Sequence, residues 1–499
     1  MIKKIGFFTA LTILVGTMVG IGIFFKNNSI STIVKGNGIA WLISWILGAI
    51  IAIFTALSYV EISTAKPKEK SGGLSYWASI FSGKKLAYLT RFNLAFFYYP
   101  IFVVVLGIFA SQIFFQFLNL IAPNRFENIS VWIHVIFGIS ISMIYFILNK
   151  ISIWIAGIHQ NIVTILKFIP LFVAIIVGLI FANTNNIGGS NAFNQGAFDF
   201  SRALFAIPSV LFTLDAFLIV ATITHKVKGG EKTVTKVVLI GMVFVSIIYI
   251  LVTIASILHN SGTVEKLIQN SLAIGFSNGI AIFVNFFIFI SALGVINGMF
   301  TGFIGETENS TYSFTWFGSK ILTKKFGPKK AMSFFYLFSY SFWSLIIFIP
   351  AITLNSDSII ETISNFPTLF FFLVYGLVIF FYAIKRHKTT ETKKINSVLF
   401  YFISIFSMIG IVVAIFSQFI VLIIDASTLP NIEGAFGTIG IKLTNLQLMI
   451  TTIIFIILFF LLPYINFLLI KYFEENLQKK STIKTTKMDK SKKTLQENF

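Results

Sequence analysis

The chain has 499 residues, 56% of them hydrophobic and 11% charged, with a mean hydropathy of +0.89 and a formal net charge of +20. That composition excludes an ordinary soluble globular protein and makes lipid the natural solvent. With no cysteine, it also excludes a disulfide framework, thiol chemistry and a thiolate metal site.

At about 20 residues per crossing, apolar segments lie near residues 5–25, 38–62, 87–118, 129–148, 155–182, 202–224, 234–258, 273–304, 332–352, 366–384, 396–424 and 447–470. The runs are continuous rather than alternating, so they read as helices and not as strands of a barrel. The expected fold is an all-α membrane protein with about twelve transmembrane helices. The first run follows Met1-Ile2-Lys3-Lys4, as a signal peptide would, but it has no small-residue cleavage site and continues to Phe25, so it reads as span one.

The positive charge sits in alternate loops. Lys3 and Lys4, the loop after span two (Lys66, Lys68, Lys70, Lys84, Lys85, Arg91), Lys150, the loop after span six (Lys226, Lys228, Lys232, Lys236), the loop after span eight (Lys320, Lys324, Lys325, Lys329, Lys330), the loop after span ten (Lys385, Arg386, Lys388, Lys393, Lys394) and the C-terminal tail hold most of the 38 basic residues. Six others, Lys26 among them, fall on the opposite side. The positive-inside rule therefore predicts cytoplasmic termini and an even number of spans. Lys167 belongs to neither side.

The loops are short and carry no inserted soluble domain. A Gly/Asn-rich outer connector occupies 183–200, and residues 472–499 form a Lys-rich cytoplasmic tail expected to be disordered or to lie on anionic head groups. Spans one and six, five spans apart, carry unusual chemistry for their depth. Transporters built from two inverted repeats place a discontinuous helix at equivalent points of each half. On that pattern residues 1–182 (spans one to five) and 183–390 (spans six to ten) are the repeats, and 391–471 holds spans eleven and twelve.

Span one contains Gly16-Thr17-Met18-Val19-Gly20-Ile21-Gly22-Ile23-Phe24. Glycines at this spacing let the backbone unwind and expose N–H groups suited to a carboxylate. Gly16 and Gly20 equally form a Gly-x-x-x-Gly spacing that lets two helices pack closely. Span six contains Pro208-Ser209-Val210-Leu211-Phe212-Thr213-Leu214-Asp215-Ala216-Phe217. An ionised Asp in a span costs roughly 2.5–3.5 kcal/mol on insertion scales, so Asp215 is expected to face the bundle interior or a wet cavity. It could bind a substrate ammonium, take up a coupling proton, or partner Lys167 or freed backbone groups. Lys167, mid-way along span five, could replace a bound sodium ion or shed a proton to couple transport to a gradient; otherwise it lies nearer the cytoplasmic surface.

Tyr98, Tyr99, Asn93 and Asn297 could line a cavity or hydrogen-bond neighbouring helices. The histidines (His134, His159, His225, His259, His387) lack metal-ligand spacing and read as loop or interface residues. No Walker loop, His-Glu-x-x-His or Gly-x-Ser-x-Gly string is present, so an ATPase, zincin or serine hydrolase lacks its parts.

The run GTMVGIGIFF resembles the first-span signature of the amino acid/polyamine/organocation permease superfamily, G-[ST]-x-[IV]-G-x-G-I-F. ALSYVEISTAKPKEKSGGLSYW (56–77), NIVTILKFIPLF (161–172) and FTLDAF (212–217) are similar to its second, fifth and broken sixth spans, and the likeness covers roughly residues 5–310. The resemblance implies a five-plus-five inverted repeat with broken helices one and six, and secondary transport of amino acids or related amines. It implies that Gly20, Ile21 and Gly22 offer N–H groups to a substrate carboxylate, with Thr17 beside them. Phe212 would be an aromatic gate, Thr213 and Asp215 would sit at the break in span six, and Lys167 would stand where sodium-coupled members hold their ion. Ala216, where the family usually has Gly, and Leu218, where many members are acidic, depart from the pattern.

The expectation is a plasma-membrane permease, proton-coupled or exchanging, acting as a monomer or homodimer, with no catalytic role, cofactor, metal or nucleic-acid partner. A permease of another small solute and a non-transporting membrane sensor are the alternatives.

Overall fold

The computed structural model describes residues 6–65, 73–127, 129–151, 153–181, 189–215, 217–218, 227–271, 274–428, 441 and 443–474. Lys3, Lys4, Lys66, Lys68, Lys70, Lys226, His225, Ala216, residues 183–188 of the outer connector and the tail from 475 onward lie outside them. Among the described residues the chain is helical almost throughout and contains no strand.

Span one is two helices, α1 (Phe7–Met18) and α2 (Ile21–Ile33). Span two is α3 (Gly38–Ile62), followed by a short helix α4 (Leu74–Trp77). Span three joins α5 (Lys84–Asn93) to α6 (Tyr99–Ile121) through a π-helical turn, Leu94–Tyr98. Span four is α7 (Val131–Ile151); span five is α8 (Ile153–Leu166) and α9 (Phe168–Ile180). Span six begins as α10 (Phe200–Phe205) and α11 (Ile207–Leu214). Span seven, α12 (Glu231–Leu258), leads through α13 (Val264–Ser271) to span eight, α14 (Ile274–Tyr312). Helix α15 (Ser319–Phe326) precedes span nine, α16 (Pro328–Thr353), and α17 (Ser358–Ser364) precedes span ten, α18 (Phe366–Lys385). Spans eleven and twelve are α19 (Ser397–Thr428) and α20 (Asn445–Leu469).

Eleven of these segments are long and apolar enough to cross a bilayer, while the apolar run Phe200–Leu214 is shorter. At about 1.5 Å per residue it cannot traverse a hydrocarbon core of about 30 Å by itself. Among the described residues of the sixth span, α11 ends at Leu214 and Asp215 is extended.

Local sequence explains the interruptions. Pro170 lacks an N–H, and its ring crowds the carbonyl of Leu166, so span five changes from α8 to α9 at Lys167. Pro208 acts likewise on span six, where α11 restarts with proline in its first turn. Asn37 caps α3 by accepting from the Ala40 N–H at 2.9 Å, and Thr444 and Gln447 form a reciprocal capping box on α20.

The broken span one is enclosed by the other helices. Helix α1 packs on α12, α8 and α14, and α2 packs on α11 and α14. Spans eleven and twelve are the least buried, and α19 and α20 turn residues such as Phe402, Ile409, Ile457 and Phe460 outward. Such a surface suits lipid.

Candidate functional site

The helix of span one ends where the glycines cluster. Val19 still donates to the Val15 carbonyl at 2.8 Å, then Val19 and Gly20 are extended, and a new helix begins at Ile21. Two sets of backbone groups lose their helical partners: carbonyls at the end of α1 and N–H groups at the start of α2. The close-packing reading of the glycines holds as well. A Cβ at Gly16 would meet the Thr164 side chain, one at Gly20 the Val295 side chain, and one at Gly22 the Thr213 Cγ2 at 2.8 Å. The break and the tight packing are therefore one feature, since bare backbone is what lets spans one, five, six and eight converge.

Lys167 serves the carbonyl end. It is fully buried, and its Nζ donates to the Gly16 oxygen at 2.5 Å. That oxygen would accept from residue 20 in an unbroken helix. The ammonium thus sits at the negative end of α1, where a cation is favoured. Space for its stem comes from Gly294 in α14, where a Cβ would lie 3.0 Å from Lys167 Cε. Gln160 Nε2 contributes a longer bond of 3.4 Å to the same oxygen, and Tyr249 OH donates to the Met18 oxygen at 3.1 Å. Lys167 is thus buried between spans one, five and eight.

The N–H end opens on a cavity of about 30 Å³ lined by Thr17, Met18, Gly20, Gly22, Phe102, Leu106, Phe212, Thr213, Asp215, Val295 and Met299. The volume is of the order of one water molecule. The Phe212 ring stacks on Phe102, with centroids 5.5 Å apart and planes inclined by 15°. Thr17 Oγ1 donates to the Ile13 oxygen at 2.6 Å, and Thr213 Oγ1 to the Val210 oxygen at 2.7 Å, which leaves their lone pairs as acceptors. Ile21 is the first residue of α2 and is not among the described lining residues.

Asp215 leaves the helix in extended conformation at the end of α11. Its carboxylate Oδ2 accepts from Tyr98 OH at 2.8 Å and Thr368 Oγ1 at 3.1 Å, and Oδ1 from Tyr375 OH at 3.5 Å. The π-helical turn in span three delivers Tyr98 to this position, and π turns recur at functional sites. Asp215 is not the partner of Lys167, whose ammonium is directed to Gly16.

Of the weaker candidates, Tyr98 reaches the site. Asn93 and Asn297 instead join helices: Asn93 donates to the Phe459 oxygen at 3.2 Å, and Asn297 to the Ala156 oxygen at 2.8 Å while accepting from Asn149 at 2.8 Å. Tyr99 is buried against Phe303. The described histidines bond to neighbouring helices or loops, and no metal-binding group of three occurs among the described residues.

Two basic residues depart from their expected places in the loops. Lys26 is buried in α2, with Nζ 2.7 Å from Ser364 Oγ and 4.9 Å from the Phe212 ring centroid. Arg386 is buried at the C-terminal end of span ten, 2.6 Å from Glu61. Thr368, Tyr375 and the apolar lining residues had escaped sequence reasoning. In pattern, Phe102 and Leu106, and Val295 and Met299, are ordinary i, i+4 pairs on apolar spans.

The sequence pattern of the amino acid permease family matches residues 5–459. The serine/threonine exchanger SteT of Bacillus subtilis is 26% identical over 260 residues, 52% of this chain and 55% of that protein. The b(0,+)-type amino acid transporter 1 of Mus musculus is 24% identical over 403 residues, 79% and 78% of the two chains. The high-affinity methionine permease of Saccharomyces cerevisiae is 28% identical over 261 residues, 51% and 44%. The chain thus spans about half the length of the first of these relatives. With the family pattern matching nearly end to end over a multi-pass helical membrane fold, the chain belongs to the amino acid permease family.

Proposed function

We propose that the chain is a secondary active permease for amino acids or related amines in the plasma membrane, with both termini cytoplasmic, acting as a monomer or homodimer and coupled to protons or working by exchange. The observation that carries this reading is the break in span one, which turns the N–H end of α2 toward a cavity and places a buried ammonium on the carbonyl end of α1. A carboxylate suits the N–H groups of Gly20, Ile21 and Gly22, and an ammonium suits the carbonyl end of α11 beside Asp215. The stacking of Phe212 on Phe102 at the cavity wall supports its reading as an aromatic gate. The names of the relatives, all transporters or permeases of amino acids, agree with that pair of charges.

The two breaks, five spans apart and lining one cavity, support residues 1–182 and 183–390 as inverted repeats. Alternating access is then a rocking of spans one, two, six and seven against the rest. Lys167 couples it to protons: when its ammonium loses a proton, the bond that holds the end of α1 at Gly16 weakens, and the two halves of span one are released from span five.

The test is uptake of a panel of labelled amino acids and amines into proteoliposomes, with and without an inside-alkaline pH gradient. The expected result is gradient-driven accumulation that Lys167→Ala abolishes. If no amino acid or amine accumulates or exchanges, the substrate class is wrong; if Lys167→Ala still accumulates with the gradient, the coupling role is wrong.

A further inference from the structure

The Gly16 carbonyl, freed by the break in span one, accepts from two side chains of span five. Lys167 Nζ lies at 2.5 Å and Gln160 Nε2 at 3.4 Å, so its two lone pairs face a charged donor held close and a neutral donor held off. The neighbours of Gln160 decide which end of its amide faces Gly16. The Tyr145 carbonyl can only accept, so Asn149 Nδ2, 3.0 Å away, is a donor, and Asn149 Oδ1 is left to accept from Thr301 Oγ1 at 2.7 Å. Asn149 Nδ2 also reaches Asn297 Oδ1 at 2.8 Å. Asn297 Nδ2 donates to the Ala156 oxygen at 2.8 Å and to Gln160 Oε1 at 3.1 Å. With its oxygen engaged in this way, Gln160 has only its N–H groups to offer Gly16. A run of amides anchored on two backbone carbonyls therefore crosses α7, α14 and α8 and ends as a donor aimed at the end of α1.

Other titratable groups on the elements packed around this junction are committed elsewhere or lie toward helix ends. His159 of α8 bonds Tyr145 of α7 at 3.1 Å, and Tyr249 of α12 holds the Met18 oxygen. His134 and Lys150 of α7, Glu231, Lys232 and Lys236 of α12, and Glu306, Glu308 and Tyr312 of α14 stand in the first or last turns of their helices. Helices α1 and α9 carry none.

We propose that Gln160, oriented by Asn297 and Asn149, is a standby donor that takes over the Gly16 carbonyl when Lys167 gives up its proton, and so sets the pH at which the lysine does so. The proposal rests on Lys167 as the coupling residue and adds the group that tunes it. When the ammonium releases its proton to water, the nitrogen keeps the electron pair, and its remaining N–H groups donate only weakly. A buried carbonyl left without a good donor is costly. Gln160, already on the same oxygen, moves in from 3.4 Å and keeps it partnered. A neutral donor binds about half as strongly as a charged one, so the end of α1 is loosened and no carbonyl is left bare. Gln160 acts through Gly16 and Lys167, as a positioning residue.

The experiment follows exchange of a labelled mixture of the twenty common amino acids against the same unlabelled mixture. Proteoliposomes hold the full chain with equal pH on both sides, and the rate is read from about pH 5 to 10. Without Gln160 the deprotonated state has no second donor, so Lys167 keeps its proton to higher pH. Gln160→Met is expected to move the midpoint of the rate profile upward by about one pH unit. Asn297→Ala leaves Gln160 in place but removes what orients it, and is expected to move the midpoint less, in the same direction. A merely structural role would lower the rate at every pH alike and leave the midpoint where it was. Size-exclusion profiles report whether each variant is folded; if Gln160→Met is not, Gln160→Leu and Asn297→Ala decide the matter by the same midpoint. A midpoint that folded variants leave unmoved, or move downward, overturns the standby role and leaves Lys167 standing as the coupling residue. If Lys167→Ala still accumulates amino acids with a pH gradient, the coupling reading falls and the standby role with it. If the wild type exchanges no amino acid, the permease reading falls as well.

Discussion

Glu61 and Asp215 are both buried carboxylates inside the helical bundle, and their surroundings differ in kind. Glu61 meets Arg386 in a two-pronged pair, Nε to Oε1 at 2.6 Å and Nη2 to Oε2 at 3.1 Å. Tyr382 OH at 2.5 Å and the Ile395 N–H at 3.0 Å donate to the same two oxygens. Arg386 in turn donates to Ser397 Oγ and the Ile395 oxygen, and its guanidinium lies 4.7 Å from the Phe400 ring centroid. Asp215 is held by neutral hydroxyls and borders a cavity. A carboxylate matched by four donors, two of them from one guanidinium, has little acceptor capacity left, so it fastens span two to the segment between spans ten and eleven. The Asp215 carboxylate ties spans three and ten to the end of α11 at a cavity wall.

The largest effect is expected at the closed pair. Arg386→Met leaves Glu61 buried without its counter-charge, a loss of about 3–5 kcal/mol. It should be read as a marked fall in the detergent-solubilised unfolding temperature and in folded yield. The double variant Glu61→Gln/Arg386→Met should recover part of that loss, because a buried pair replaced as a unit costs far less than one broken. A single variant as stable as the wild type would mean that the pair is dispensable, and the contrast with Asp215 would lose its structural half.

At the central region the expected signature is the reverse, with transport lost more than stability. Gly22→Ala puts a methyl 2.8 Å from Thr213 Cγ2 and 3.0 Å from its Cα, where backbone has to yield. Overpacking of this sort costs about 1–3 kcal/mol, and it also pushes apart the two breaks that frame the cavity. Uptake should drop severely in protein that still elutes as a single folded species. Adding Thr213→Ser removes the nearer of the two atoms and should restore a part. Normal uptake by Gly22→Ala would separate the function from the convergence of spans one and six.

Much of this division was legible in the residues, though unevenly. The break in span one was legible because glycine acts through local backbone physics, and Gly16-Thr17-Met18-Val19-Gly20 announces itself without tertiary context; the end of α11 at Leu214 was expected only from the family resemblance. Lys167 and Asp215 were legible because an ionisable residue within a continuous apolar run stands out against it. Arg386 and Lys26 were not, since each lies at the end of an apolar run, where a snorkelling or loop cation is the ordinary case. Only the folded chain brings Glu61 to Arg386 across a sequence separation of 325 residues. The hydroxyls around Asp215 were hidden for another reason: Thr368 and Tyr375 are common helix-to-helix hydrogen-bonding types, and nothing local says which helix they will face. The lining pairs Phe102/Leu106 and Val295/Met299 are indistinguishable by pattern from lipid-facing residues on the same spans.

The smallest expected effect concerns the other carbonyl freed at the break. Tyr249 OH donates to the Met18 oxygen at 3.1 Å, two residues on from the Gly16 oxygen that Lys167 holds. Tyr249→Phe keeps the ring and its edge contact with Trp45, centroids 5.5 Å apart, and removes the donor alone. A neutral hydrogen bond contributes a net of about 0.5–1.5 kcal/mol, so the unfolding temperature should fall only slightly and uptake should change by a few-fold at most. What distinguishes the two carbonyls is the proton: Tyr249→Phe should leave the response to a pH gradient intact, whereas Lys167→Ala removes it. Equal loss of gradient response in both variants would mean that any bond securing the end of α1 suffices, and that the charge on Lys167 has no part of its own in coupling.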